Sequence, residues 1–340
     1  MNRLTLNLLA LFALVVMGIT SIGCKPSGAH GSGDSGGPVV LYTSVDEPYA
    51  RPLIDEFEKQ TGIDVKLVTD AEASKSVGLS EKLRAEKDHP QADVWWDNEC
   101  FLTINLADEG VLAPYDSPSA ADIPSQFKDP QRRWAGNVLR VRVLVSLHSA
   151  GAMKPTHLSD LIRPELKGQI AIARPTAGTT GGHVAALYEL WGKSRADAFF
   201  RGLYDNKVTL VGGNSIAAES VARGDLKAGL CDNDDAADAS ANIGPVDLIL
   251  PDQRPGEDGT LAMPCTVGLV AGAKHEKSAR RLIDFLLSSK VDQKLIDAKF
   301  AWCSTRQTSG HGKFMTVNYQ AVAKAMPAAI RSATSIMEGR

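Results

Sequence analysis

The chain has 340 residues, of which 44% are hydrophobic and 23% charged, and a formal net charge of −3. This length suits two domains or one bilobed body, and the apolar fraction is ordinary for a soluble globular chain. The slight acidity and the lack of any basic stripe argue against a nucleic-acid partner.

In chain order, Arg3 precedes an apolar stretch, residues 4–23, that closes on Ser21-Ile22-Gly23-Cys24. A positive charge, an apolar core and small residues at the end are the layout of a secretory signal. The last four residues resemble the box cut by bacterial lipoprotein signal peptidase, where the Cys becomes the acylated first residue. Residues 1–23 are therefore expected to be a lipoprotein signal peptide, with Cys24 the lipidation site. An uncleaved anchor, for which residues 4–23 are just long enough, and plain secretion are the alternatives. All three place the body outside the cytoplasm. Residues 24–38, rich in Gly and Ser, read as a flexible tether.

The body opens with an apolar strand at residues 39–42. Tyr49, Leu53 and Phe57 mark a helix with Pro52 in its first turn and Gly62 as its stop. Ile63, Val65 and Leu67 alternate as a strand; a helix at 77–88, a strand at 92–96 and a helix at 100–109 follow. This order implies a parallel sheet covered by helices. Leu139, Val141, Val143, Val145 and Leu147 alternate with polar positions that include Arg140 and Arg142, giving a long strand with one apolar face. Such a strand is a candidate for crossing between lobes. Beyond it come a strand at 169–173, helices at 181–192 and 194–206, a strand at 208–211, and a helix at 215–223 with Asn214 as its N-cap. Strands at 226–231, 246–250 and 266–271 and helices at 276–287, 291–300 and 316–325 complete the chain.

Polar clusters stand at 43–47, 97–99, 176–182, 214 and 232–235, mostly just after strands. Binding residues in open α/β sheets gather beyond the carboxyl ends of strands, so these clusters could line one cleft. The Asp-Asn-Asp-Asp run at 232–235 reads as ligand carboxylates or as a helix cap, and Asp46 as a ligand or an N-cap. Trp95 and Trp96 read as core, and Trp302 is open. Asp234 and Asp235 could form an acid/base pair, but the chain has no GxSxG, HExxH or P-loop, and the expectation is no enzyme. Besides Cys24, the four cysteines permit two disulfides in three connectivities, or four buried thiols.

Five phrases then stand in one order: VLYTSVDEPYARPLIDEFEKQTGIDVKLV (40–68), ADVWWDNECFLTINLADEGVLAPY (92–115), ARPTAGTTGGHVAALYELWG (173–192), GGNSIAAESVARGDLKAGLCDNDDA (212–236) and TVGLVAGAKHEKSARRLIDFLLS (266–288). With them the chain resembles the periplasmic substrate-binding proteins of bacterial ABC importers, in the ferric-ion-binding, transferrin-like cluster of extracellular solute-binding family 1. The resemblance implies an α/β, two-lobed periplasmic-binding-protein fold, each lobe a mostly parallel sheet flanked by helices and joined by hinge strands. Residues 39–138 plus 265–312 would form the N-terminal lobe, and 139–264 plus 313–340 the C-terminal lobe.

The resemblance also implies a site. That family holds iron with a His and a Glu from one lobe and two adjacent Tyr from the other. In register these positions are Asp46, Asn98 with Glu99 beside it, and Asp234 with Asp235. All the family's ligands are replaced, yet by residues offering oxygen donors that suit hard cations. The family's anion loop falls on Gly178, Thr179 and Thr180 at a helix start, with Asn214, while Ala177 replaces a hydroxyl residue. Asp232 is expected among the ligand contacts. The implied function is that of an extracytoplasmic lipoprotein delivering a cation to an ABC permease. Its cargo would be ferric iron or another hard cation, with phosphate or carbonate as partner anion. A monomer without a catalytic cofactor is expected; a small organic cation or zwitterion as ligand, or a ligand sensor, are the alternatives. The positions near hinge and cleft mouth further imply disulfides Cys231–Cys265 and Cys100–Cys303.

Overall fold

A computed structural model describes residues 37–70, 77–176 and 178–340. The expected signal peptide, Cys24, most of the tether and Ala177 lie outside the described residues. Among the described residues, no helix is long and apolar enough to cross a membrane.

The first elements are β1 (Val39–Thr43), α1 (Glu47–Thr61), β2 (Val65–Thr69), α2 (Val77–Ala85), β3 (Val94–Asp97), α3 (Phe101–Asp108) and β4 (Leu112–Ala113). After the long β5 (Ala135–Leu147) come β6 (Ile170–Ala173), α4 (Gly178–Asp205), β7 (Thr209–Val211), α5 (Asn214–Ala222), β8 (Ala228–Asp232), α6 (Asn233–Asn242) and β9 (Val246–Ile249). The chain ends with β10 (Ala262–Val270), α7 (Glu276–Leu286), α8 (Ser289–Asp297), β11 (Cys303–Ser304) and α9 (Tyr319–Met337).

β2, β1 and β3 pair in parallel, as the β-α alternation predicts, and β10 joins β3 antiparallel. The strand order runs β2-β1-β3-β10-β5-β8-β6-β7. β5 belongs to both halves of this order. Its first part pairs with β10 and β11, and its second part with β8 and β9. One strand therefore joins two sheets, each flanked by helices.

Packing on both sides of β5 changes one reading of the sequence. The alternation at 139–147 predicts a single apolar face, but every residue of β5 up to Ser146 is buried. Arg140 is 2% exposed and Arg142 0%. Trp95 and Trp96 are fully buried, as expected of core residues.

Local chemistry explains several boundaries. Gly62 ends α1 in the left-handed region, at φ 68°, which Gly adopts without Cβ strain. The helix begins at Glu47, so Pro52 lies inside it and not in its first turn. The helices expected at 181–192 and 194–206 are the two arms of α4, which breaks at Gly192. Asn214 is not the N-cap of α5; Gly213 takes that position.

The expected disulfides do not form: Cys100, Cys231, Cys265 and Cys303 are free and buried. Sheet register gives the reason. Cys231 lies opposite Val143 and Cys265 opposite Val138. That offset of five residues along β5 amounts to roughly 17 Å, against the roughly 4.4–6.8 Å between Cα atoms that a disulfide needs. Cys303 lies opposite Leu139 on β11, whereas Cys100 follows β3, with β10 and β5 between. Cys100 and Cys303 also belong to separate apolar clusters.

The first turns of α4 meet α3 and α9 closely. A Cβ at Gly182 would stand 2.1 Å from the Phe101 ring, and one at Gly181 2.8 Å from Ile330. Next along the helix is His183, 2% exposed, with its Nε2 lacking a hydrogen-bond partner. Burial, with the charge of Arg142, pushes its pKa down to about 3.

Two measurements follow from this contact. Gly182→Ala should cost about 1–3 kcal/mol by overpacking, and Phe101→Leu in the same chain should recover part of the loss. An unchanged urea midpoint for Gly182→Ala would remove the close approach. For His183 the depressed pKa means that the folded state binds fewer protons than the unfolded chain between about pH 6.5 and pH 3. Its neutral burial favours folding above that window and loses this advantage as pH falls through it. His183→Gln should therefore flatten the acid limb by about 2–3 kcal/mol between pH 7 and pH 4.5. Parallel stability-against-pH curves for variant and wild type would refute the assignment.

Candidate functional site

The second sheet supplies a cluster of helix starts. β6 leads into α4, whose first residue Gly178 has φ +57°, a conformation strained for other residues. β8 ends at Asp232, the N-cap of α6, and Asp235 in the first turn accepts a hydrogen bond from the Asp232 N–H at 3.3 Å. This back-bond is half of the capping-box arrangement and fixes the turn. Thr179 Oγ1 donates to Asp232 Oδ2 at 2.6 Å, and Asn214 Nδ2 donates to Thr179 Oγ1 at 3.1 Å and to Asp232 Oδ2 at 3.3 Å. Thr180 Oγ1 donates to Asn214 Oδ1 at 3.0 Å. The structure thus brings together Thr179, Thr180, Asn214 and Asp232.

Residues two apart on a strand share a face, and on β5 this places Arg140 and Arg142 together beside that cluster. Arg142 Nη1 donates to Asp232 Oδ1 at 2.6 Å and to Thr179 Oγ1 at 3.3 Å. Arg140 Nη2 donates to Asp234 Oδ1 and Oδ2 at 2.5 and 2.6 Å, and lies 3.2 Å from Asp232 Oδ2. Its guanidinium sits over the Phe300 ring, 5.2 Å from the centroid. Burial alone would raise the Asp232 carboxyl, but Arg142, Arg140 and the Thr179 hydroxyl bring it below the usual carboxylate range. At Asp234 burial outweighs Arg140, and with the neighbouring Asp232 charge lifts its pKa to about 6. Burial opposes the Arg140 charge, yet Asp234 and Asp232 hold its pKa well above the usual value.

These arginines are not fully matched. Arg140 Nε and Nη1 and Arg142 Nε and Nη2 are buried without a hydrogen-bond partner. A guanidinium carries five N–H donors and no acceptor. Leaving a buried donor unmade costs about 1–3 kcal/mol, more for a charged group.

The first sheet contributes a different network. Ser44 Oγ donates to Asp97, the Asn98 N–H to Ser44 Oγ at 2.9 Å, and Asn98 Nδ2 to the Ser44 carbonyl at 3.3 Å. Cys265 Sγ donates to the Asn98 carbonyl at 3.5 Å. Glu99 accepts from the N–H groups of Phe101 and Leu102, so its carboxylate serves the start of α3. Burial, followed by the Asp97 charge, raises its pKa. Asp46 stands half-buried at the N-cap of α1 without a side-chain cap bond, and its charge reaches Asp234 and Tyr49.

The expected carboxylate set is therefore divided. Oxygens of Asp232, Asp234 and Asp235 approach within 4.8 Å of one another, a grouping that contains neither Glu99 nor Asp46. The residues that sequence reasoning missed are Arg140, Arg142 and His183. A signal for the arginines was present: two cations on one face of a strand taken to cross between lobes, in a chain with an unmatched acidic run at 232–235.

The chain also has relatives. It is 27% identical over 272 residues to an Fe(3+)-binding periplasmic protein of Serratia marcescens, covering 78% of this chain and 77% of that one. It is 27% identical over 274 residues to a putative 2-aminoethylphosphonate-binding periplasmic protein of Salmonella typhimurium, covering 76% and 74%. A solved ferric binding protein from Campylobacter jejuni superposes with a TM-score of 0.77 at 19% identity, covering 88% of this chain and 99% of that one. The last likeness establishes the two-lobed periplasmic-binding-protein fold. Residues 39–301 match the family model of the bacterial extracellular solute-binding proteins, non-enzymatic components that bind small ligands and work with ABC permeases, and the chain belongs to that family.

Proposed function

We propose that this chain is the capture component of an ABC importer, lipid-anchored through Cys24, and that its cargo is a small solute bearing an oxyanion. The lobes of the sequence analysis, 39–138 plus 265–312 and 139–264 plus 313–340, would close on it, with β5 as a hinge strand. The observation that carries the cargo reading is the pair of buried arginines with unmade donors beside Thr179 and Asn214. Charge-assisted hydrogen bonds from guanidinium to phosphate-type oxygens are among the strongest available. The starts of α4, α5 and α6 add favourable dipoles. Asp232 and Asp234 hold the two arginines in place.

A bare hard cation fits less well, because it would have to displace guanidiniums from the carboxylates it needs. A cation brought next to buried positive charge is also repelled. One observation favours a second reading, ferric iron with a partner anion: the oxygens of Asp232, Asp234 and Asp235 lie within 4.8 Å of one another. In that case the arginines would hold the anion. The two relatives above divide in the same way, one named for Fe(3+) and one for an aminophosphonate.

A charge-balanced variant tests the reading. Arg142→Met alone leaves Asp232 buried without its main partner, a loss of about 3–5 kcal/mol. Arg142→Met with Asp232→Asn removes both charges and should stay folded, yet bind inorganic phosphate at least about 100-fold more weakly by calorimetry, as expected when charge-assisted hydrogen bonds are lost. Wild-type affinity in the double variant would refute the arginine site. Native mass spectrometry with metal analysis of fresh protein addresses the second reading: stoichiometric iron without an oxyanion would reject the oxyanion cargo.

A further inference from the structure

The two arginines do not stand in a purely basic pocket. Each guanidinium that has unmade N–H groups also touches a carboxylate with another nitrogen. Both Asp234 oxygens accept from one nitrogen, Nη2 of Arg140, and each carboxylate oxygen can accept more than one hydrogen. Asp235 adds a third carboxylate, with an oxygen within 4.8 Å of oxygens of Asp232 and Asp234. Carboxylates therefore outnumber guanidiniums around the place where an oxyanion would meet the free donors.

We propose that the site selects oxyanions that bring a hydrogen of their own, hydrogen phosphate and the monoanions of phosphonates and phosphate esters, over sulfate and sulfonates. This rests on the oxyanion reading given above. An oxygen that accepts from Arg140 Nη1 stands on the same planar fork as Nη2, and so close to Asp234. If a P–O–H group points there, its hydrogen bridges the two oxygens in a short, charge-assisted bond. If the ligand has no hydrogen, two anionic oxygens face each other in a buried site and the carboxylate acceptor stays unmatched. Sites built to hydrogen-bond a ligand OH reject analogues lacking it by large factors, through the unpaired polar group left behind. Asp234 is thus a specificity-determining residue as well as the counterion of Arg140.

The test is calorimetry at pH 7.5 on the full chain, with inorganic phosphate against sulfate and methylphosphonate against methanesulfonate. Wild type should bind each phosphorus probe at least about 100-fold more tightly than its sulfur partner. Asp234→Asn, which replaces a carboxylate oxygen by a donor, should narrow that ratio to about 10-fold or less. Equal binding of phosphate and sulfate by wild type overturns the proposal, whether or not the variant folds. A folded Asp234→Asn that keeps the full ratio overturns the role of Asp234. If none of the four probes binds while ferric iron does, the oxyanion reading itself falls, and this inference with it.

Discussion

Two buried guanidiniums facing two buried carboxylates are the constraint to which the rest of the site answers. Arg142 and Arg140 come from β5; Asp232 and Asp234 come from the junction of β8 and α6. Taking four charges out of water is tolerable only with close pairing. That requirement fixes the register of β5 against β8, where Arg142 lies opposite Asp232. It also explains the Thr179 and Asn214 contacts, which occupy the remaining acceptor sites of Asp232. Even so the pairing is incomplete, and the donors left over are what give the site a chemical direction.

Much of the architecture was legible in the sequence. Periodicity located most strands and helices, and Gly62 and Gly192 announced a helix end and a helix break through positive φ. The two-residue strands β4 and β11 were not legible, since so short a segment shows no alternation. β10 begins four residues earlier than residue 266, because pairing with β5 extends it through Pro264. The cysteine pairs failed for a related reason. Nearness to a named site says nothing of register, and register sets the distances between Cys231, Cys265 and their neighbours.

The site was legible in outline, but two of its charged residues were not. The loops at 176–182, 214 and 232–235 do converge, through Thr179, Asn214 and Asp232. Arg140 and Arg142 read only as polar positions alternating with an apolar face, because alternation reports no more than that one face is apolar. It cannot tell a wet polar face from one turned toward a buried acidic cluster. Glu99 was expected as a ligand because it stands beside the family's Glu position at Asn98; in the fold the start of α3 claims its carboxylate.

The position of β10 has a consequence for how the chain reaches this structure. Residues 262–270 lie between β3 and β5 and hydrogen-bond to both. The first sheet therefore stays divided until some 170 residues beyond β3 have been made available. α9, the last helix, packs on α3 and α4, so the C-terminal segment also closes contacts opened early in the chain. Such long-range pairings must meet the entropy of closing large loops before they are rewarded, which slows folding. The first sheet of such a chain is therefore completed late, by a strand made long after the neighbours it joins.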